Sequence, residues 1–386
     1  MNRRGGREAD GDLGKERGTE MGRTKLVLIG GFLGAGKTTL LGQAAGLLAR
    51  RGKRTGLLTN DQAPNLVDTA LLKQQGFEVG EVAGGCFCCR FDQFVAAADR
   101  LVRDGWPEVI LAEPVGSCTD LTATVIRPLE ELQGDRFQVA PYSVMADPLR
   151  LREALAGSGA FQEEVRYVYR KQLEEADFIL LNKRDLMSAG ESAELTAQLA
   201  ARHPAVRVFA LSALRGEGVE EWLDAALAGA PAGARVAEVD YDTYAAGEAA
   251  LGWLNATVRL AAAGGSDWPA FSRTLLNELQ TQLRKAGAEV AHLKTFLSAP
   301  GLTVTAGWTA NEAAPSIRER GACGHEAREA WLTINARVQM PPEELRAAVE
   351  ASLGAAAGGG LKARVERLDC FRPSRPVPTH RAAGRK

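Results

Sequence analysis

The chain has 386 residues, 45% of them hydrophobic and 25% charged, with 47 Lys and Arg against 48 Asp and Glu for a formal net charge of -1. That length allows two domains at ~100–200 residues each, and the charge balance leaves no basic excess to attract nucleic acid. The longest apolar runs are strand-length, short of the ~20 residues of a membrane span. No membrane partner is expected, and the cytoplasm is the expected compartment.

Residues 1–23 read as a disordered leader: they mix charges and glycines without an apolar h-region, and Met21, directly before the first strand pattern, is an alternative start. The apolar run 25–30 then leads into Gly31-Phe32-Leu33-Gly34-Ala35-Gly36-Lys37-Thr38-Thr39. This is a strand, a glycine-rich turn and a helix over 38–50. Backbone N–H groups of Gly31, Gly34, Ala35, Gly36 and Thr39 can ring phosphate oxygens, and the helix aims its partial positive end at the same place. Lys37 would reach the β- and γ-phosphates, and the Thr38 hydroxyl would complete a Mg²⁺ shell.

A second buried strand, 54–59, empties into Asn60-Asp61. Ligands collect beyond the carboxyl ends of parallel strands, so Asp61 is a candidate Mg²⁺ or water-positioning residue. The alternative is turn and helix-cap chemistry. A helix over 65–76 and a short strand at 77–82 precede Gly84-Gly85-Cys86-Phe87-Cys88-Cys89. Six cysteines in a chain this long make no disulfide scaffold, and three within four positions point to metal or redox chemistry. Thiolates suit Zn²⁺ and similar soft-binding ions, and Cys86, Cys88 and Cys89 supply three of four tetrahedral positions. Water, a histidine, a carboxylate or a partner's side chain could be the fourth.

After a helix over 91–104, strand 108–113 ends in Glu113-Pro114-Val115-Gly116. Glu113 can hold Mg²⁺ through a water, and Gly116 leaves room beside the γ-phosphate. Cys118 reads as a small buried residue before it reads as a fourth ligand. One strand over 138–146 and helices up to about residue 175 follow. The strand 177–181 then runs into Asn182-Lys183-Arg184-Asp185. One carboxylate can accept both the N1–H and N2–H₂ donors of guanine, a pair adenine lacks. Asp185 would therefore select guanine, with Asn182 supporting the pocket and the Lys183 stem covering the ring. Strand 206–211 ends in Ser212-Ala213, where a backbone amide could cap guanine O6.

Residues 229–245, opening Gly-Ala-Pro-Ala-Gly-Ala, resemble a linker between the unit 24–228 and a smaller α+β unit, 246–370, with a split βαβ arrangement. In that second unit the expected elements are a strand from Leu251, a helix over 267–286 opened by Asp267, strands around 289–297, 301–308 and 330–338, a helix from Pro341 and a strand at 362–369. Trp253, Trp268 and Trp308 read as core. Cys323-Gly324-His325 is a weak auxiliary metal candidate. The Pro/Arg-rich tail 371–386 is expected to be disordered, the alternatives being docking on the nucleotide unit or metal binding through Cys370 and His380.

With these motifs placed in order, residues 24–228 resemble the CobW-type metallochaperone GTPases, relatives of HypB and UreG. The fold the motifs and the resemblance imply is α/β: a P-loop domain with a mainly parallel sheet, then the smaller α+β domain. The resemblance further implies a GTP and Mg²⁺ site, a transition metal (Zn²⁺ or Co²⁺) at Cys86, Cys88 and Cys89, and delivery of that metal to a client metalloprotein. It leaves a homodimer open. Hydrolysis would be slow, since no residue can be named as its accelerator. The rivals are a GTP-gated metal-storage or regulatory protein and a P-loop small-molecule kinase.

Overall fold

The computed structural model describes residues 23–62, 67–322 and 327–383; the Cys323-Gly324-His325 candidate and nearly all of the leader lie outside them. The first sheet contains β1 (Thr24–Gly31), β2 (Thr55–Asp61), β3 (Val79–Ala83), β4 (Val109–Glu113), β5 (Phe137–Val139), β6 (Ser143–Ala146), β7 (Phe178–Leu181) and β8 (Arg207–Ala210). Their order is β3-β2-β4-β1-β6-β7-β8, with β5 also on β1, and all pairings are parallel. A parallel sheet covered on both faces needs continuous apolar strands, and Leu26, Val27, Leu28 and Ile29 are fully buried. The order reverses across β1, so the glycine-rich loop leaves the sheet at its switch point, where such folds open a ligand crevice.

The strand expected over 138–146 is instead two, β5 and β6, separated by Ala140-Pro141-Tyr142. Proline has no N–H to give the ladder. The chain therefore steps along β1, from Val139 opposite Leu26 to Ser143 opposite Ile29.

The second sheet is antiparallel, in the order β12-β11-β10-β13-β9-β14. Its strands are β9 (Gly252–Ala262), β10 (Glu289–Ala299), β11 (Leu302–Trp308), β12 (Ser316–Gly321), β13 (Glu329–Gln339) and β14 (Leu361–Phe371). With helices Trp268–Lys285 and Pro342–Ala357, strands β9, β10, β13 and β14 make the split βαβ arrangement, and β11 and β12 extend its β10 edge. The sequence pattern missed β12 because Ser-Ile-Arg-Glu-Arg-Gly shows no buried alternation, as suits a charged edge strand. Trp253, Trp268 and Trp308 are core, at 1% exposure or less.

The second sheet is bonded to the carboxyl end of the first. Asn335 Oδ1 accepts from the Val67 amide at 2.9 Å, Arg337 pairs with Asp61, and Arg150 Nη2 lies 2.6 Å from Glu289 Oε1. Residues 229–245 run along the first unit, where the Asp177 carboxylate accepts from the amides of Gly233 and Ala234 at 2.8 and 3.1 Å.

The expectation of a disordered tail fails for residues 372–383. The Thr379 amide donates to Cys88 O at 2.9 Å, the Ala382 amide donates to Ala123 O at 2.8 Å, and Arg381 Nε reaches the buried Asp120 carboxylate at 2.7 Å. Without helix or sheet partners of its own, this proline-bearing arm satisfies its polar groups on the first unit.

Candidate functional site

The phosphate loop closes on itself through its glycines. Gly34 and Gly36 have φ of 78° and 102°, in the left-handed region where a side chain is strained, and Gly36 precedes a helix start with no side-chain cap. A Cβ on Gly34 would also meet Thr309 at 2.8 Å, so the second sheet's connection covers the loop there. Lys37 is buried, and its Nζ donates to Gly31 O at 2.9 Å and Phe32 O at 3.4 Å. Burial lowers its proton affinity, which the Glu113 charge partly restores.

Beside it three side chains converge. Thr38 Oγ1 is 2.8 Å from Asp68 Oδ1 and 3.1 Å from Glu113 Oε1, and Lys294 of β10 donates to the same Asp68 oxygen at 2.5 Å. Burial and then the Asp68 charge push Glu113 up to about 7. Burial works against ionised Asp68 too, but Lys294 and then His292 outweigh it and hold that carboxyl at about 2. Among the described residues, the other Glu113 oxygen, Oε2, is buried with no partner. Two carboxylates around one hydroxyl, with a lone pair left over, suit a hard divalent cation that takes oxygen ligands. Sequence reasoning named Thr38 and Glu113 but missed Asp68 and Lys294. The signal for Asp68 was an acid in the first turn of helix Val67–Gln74, an ordinary place for one.

Asp61 sits elsewhere in this crevice. Both of its carboxylate oxygens accept from Arg337 Nη2, at 3.0 and 2.8 Å, and the Arg337 guanidinium lies 4.2 Å over the Trp253 ring.

On the other side of the loop, Asn182 Nδ2 donates to Ala35 O at 2.7 Å, and its Oδ1 accepts from the Ala213 amide at 2.9 Å. Asn182 thus ties the phosphate loop to the Ser212-Ala213 turn. Ser212 Oγ donates to Asp185 Oδ1 at 2.5 Å, while the Ser212 amide donates to Glu217 O. In this structure both amides offered to guanine O6 are therefore engaged within the protein. Lys183 has φ of 59° and pairs with Asp147.

The cysteine turn hangs from the end of β2. Asn60 Nδ2 donates to Val82 O and Gly85 O, and Asn60 Oδ1 accepts from the Phe87 amide at 2.9 Å. The amides of Cys89 and Arg90 both donate to Cys86 O, folding the three thiols to one side. Cys86 Sγ is 2.7 Å from Cys88 Sγ, which is 3.8 Å from Cys89 Sγ, and all three lie within 4.8 Å of one another. Hydrogen bonding among the neighbouring thiols lowers the Cys86 proton affinity well below that of an ordinary thiol. The proposed tail ligands sit apart: His380 is edge-on to Phe91 at 4.9 Å between centroids, and Cys370 Sγ donates to Pro342 O.

A strand, a glycine-rich loop and a lysine-bearing helix at the switch point of a parallel sheet define a P-loop nucleotide-binding domain. Residues 25–210 match the family model described as CobW/HypB/UreG, nucleotide-binding domain. Among characterised proteins, the chain is 33% identical over 171 residues to the zinc chaperone YeiR of Escherichia coli, covering 42% of this chain and 47% of the relative. It is 28% identical over 230 residues to the zinc chaperone CobW of Pseudomonas aeruginosa, covering 51% and 58%. The matches thus span about half the length of these relatives. The solved structure of Zn(II)-bound YjiA GTPase from E. coli is 17% identical, covering 86% of this chain and 99% of that one, with a TM-score of 0.34. Among the described residues, no helix is long and apolar enough to cross a membrane.

Proposed function

We propose that the chain binds and slowly hydrolyses GTP with Mg²⁺, and that nucleotide state sets its hold on a transition metal at Cys86, Cys88 and Cys89 for delivery to a client metalloprotein. Zn²⁺ is the first candidate, since the relatives are named zinc chaperones, and Co²⁺ the second. The observation that carries this reading is the adjacency of the two sites. Glu113 of the cation cluster is opposite Thr59 in the sheet, and the next residue, Asn60, holds the cysteine turn.

Thr38, Asp68 and Glu113 would hold Mg²⁺, which when bound supplies positive charge against the β- and γ-phosphates. Lys37 would exchange the Gly31 and Phe32 carbonyls for phosphate oxygens. Glu113 would surrender a proton as its charged form gains a cation. Asp185 would accept the paired guanine donors, and Asn182 would keep the base side in register with the phosphate loop.

Phosphate release measured with GTP and with ATP tests this. Turnover should favour GTP, and Asp185→Asn should reduce that preference by at least about tenfold, because guanine's donors lose a charged acceptor. Lys37→Ala should abolish turnover and leave thiol metal binding intact. Equal use of ATP by the wild-type chain would contradict the guanine assignment.

A further inference from the structure

Four polar side chains of the second sheet share the face that meets the carboxyl end of the first. On β10 and β13, His292 is opposite Arg337 and Lys294 is opposite Asn335, and residues two apart on a strand point the same way. Three of the four have partners on the first unit. Arg337 pairs with Asp61, Asn335 accepts from the Val67 amide, and Lys294 donates to Asp68. His292 is 9% exposed, and among the described residues its Nε2 is buried with no partner. A polar atom buried without a hydrogen bond is costly, so a fold that retains one calls for an explanation.

The neighbours of His292 on β10 fix where it lies. Val290 is opposite Val338 but His292 is opposite Arg337, so Ala291 is the extra residue of a β-bulge, a device that re-aims side chains beside active sites. The bulge rests on the phosphate loop, where a Cβ on Gly34 would stand 3.1 Å from Ala291 O. Arg150 of the first unit holds the same stretch by donating to Val290 O at 3.0 Å. Two residues past His292, Lys294 reaches the Asp68 oxygen that Thr38 also contacts. His292 is thus flanked by the loop that rings phosphates and by the side chains that would hold Mg²⁺, an ion that bridges β- and γ-phosphate oxygens.

We infer that His292 is the second unit's contact to the terminal phosphate of the nucleotide, its Nε2–H donating to a γ-phosphate oxygen. This rests on the proposed binding of GTP with Mg²⁺. A diphosphate has no γ-oxygen to accept that bond, so the contact separates the nucleotide before hydrolysis from the one after it. It also gives the triphosphate a hold on both units, with the glycine-rich loop and Lys37 on one side and β10 on the other.

The test is the binding of fluorescent GDP and of a fluorescent non-hydrolysable GTP analogue, each with Mg²⁺, to the full chain and to His292→Ala. The variant should lose at least about tenfold in affinity for the analogue, as a hydrogen bond to a charged group disappears, and stay within about twofold for GDP. His292→Gln, whose amide can still donate, should recover part of the loss. Equal losses for the two nucleotides, or no loss for either, would overturn the inference. A second measurement needs no His292 variant to fold. In NMR spectra of the histidine-labelled wild-type chain, with the signals of His203, His325 and His380 assigned from their Gln variants, the remaining imidazole should shift with the GTP analogue and not with GDP. An imidazole that ignores the analogue, or shifts equally with both, would also overturn it. Failure of the wild-type chain to bind either nucleotide would instead overturn the function on which the inference rests.

Discussion

Asp61 and Arg337 form a two-point ion pair across the two units, with Arg337 Nη2 at 3.0 and 2.8 Å from the carboxylate oxygens. Arg337 is 2% exposed, and its Nη1 donates to Leu254 O, Asn255 Oδ1 and Ala336 O. Removing one partner strands a buried charge. Asp61→Ala should therefore lower stability to denaturant by about 3 kcal/mol, while Asp61→Leu with Arg337→Met should recover much of that loss. A loss under about 0.5 kcal/mol for the single change would show the pair to be solvated.

Lys294 occupies the Asp68 oxygen that Thr38 also contacts. An ammonium there competes with a divalent cation for the same lone pairs. Lys294→Ala should tighten Mg²⁺ in the nucleotide complex by several-fold, read from the Mg²⁺ dependence of fluorescent-nucleotide binding. Weaker Mg²⁺ binding would mean that Lys294 helps hold the phosphates instead.

Glu175 is fully buried, accepting from the Thr122 amide at 2.9 Å and from Thr119 Oγ1 at 3.2 Å. Burial, with the Asp120 charge adding to it, pushes its carboxyl from 4.5 to about 8. The folded chain then holds a proton that the unfolded chain has released, so its contribution to stability is complete below 4.5 and falls as pH rises towards 8. Denaturation midpoints should decline over that window, and Glu175→Gln should flatten the decline. An unchanged slope in the variant would place the titration elsewhere.

The tail arm covers the cysteine turn, with Thr379 donating from its amide to Cys88 O and from its hydroxyl to Cys89 O. Deleting residues 373–386 should speed modification of half-buried Cys89 by a thiol reagent several-fold, since reactivity follows exposure. The milder Arg381→Ala, which breaks the contact to Asp120, should act in the same direction. Unchanged labelling rates would show that the arm does not shield the thiols.

The phosphate loop, the Asn182 to Asp185 turn and the cysteine cluster were legible in the sequence because each is a local pattern whose spacing carries its chemistry. The alternation of strands and helices likewise announced the parallel sheet, except where Pro141 split one strand. What could not be read were partners brought in from far along the chain. Lys294 meets Asp68 across 226 positions and Arg337 meets Asp61 across 276. Neither residue carries a mark of that destination, because each lies on an antiparallel strand where a charged side chain usually faces water. The tail misled for a related reason. Prolines rule out helix and disfavour sheet, but they do not prevent an extended arm from bonding to another surface.

The proposed function links metal affinity to nucleotide affinity. Its most direct test is calorimetry of GTP binding, with Mg²⁺ present, to the metal-free chain and to the chain loaded with Zn²⁺ or Co²⁺, using Cys86→Ser/Cys88→Ser/Cys89→Ser as the control. Linkage predicts a metal-dependent change in GTP affinity that disappears in the triple variant. Equal GTP affinity with and without metal in the wild-type chain would contradict it.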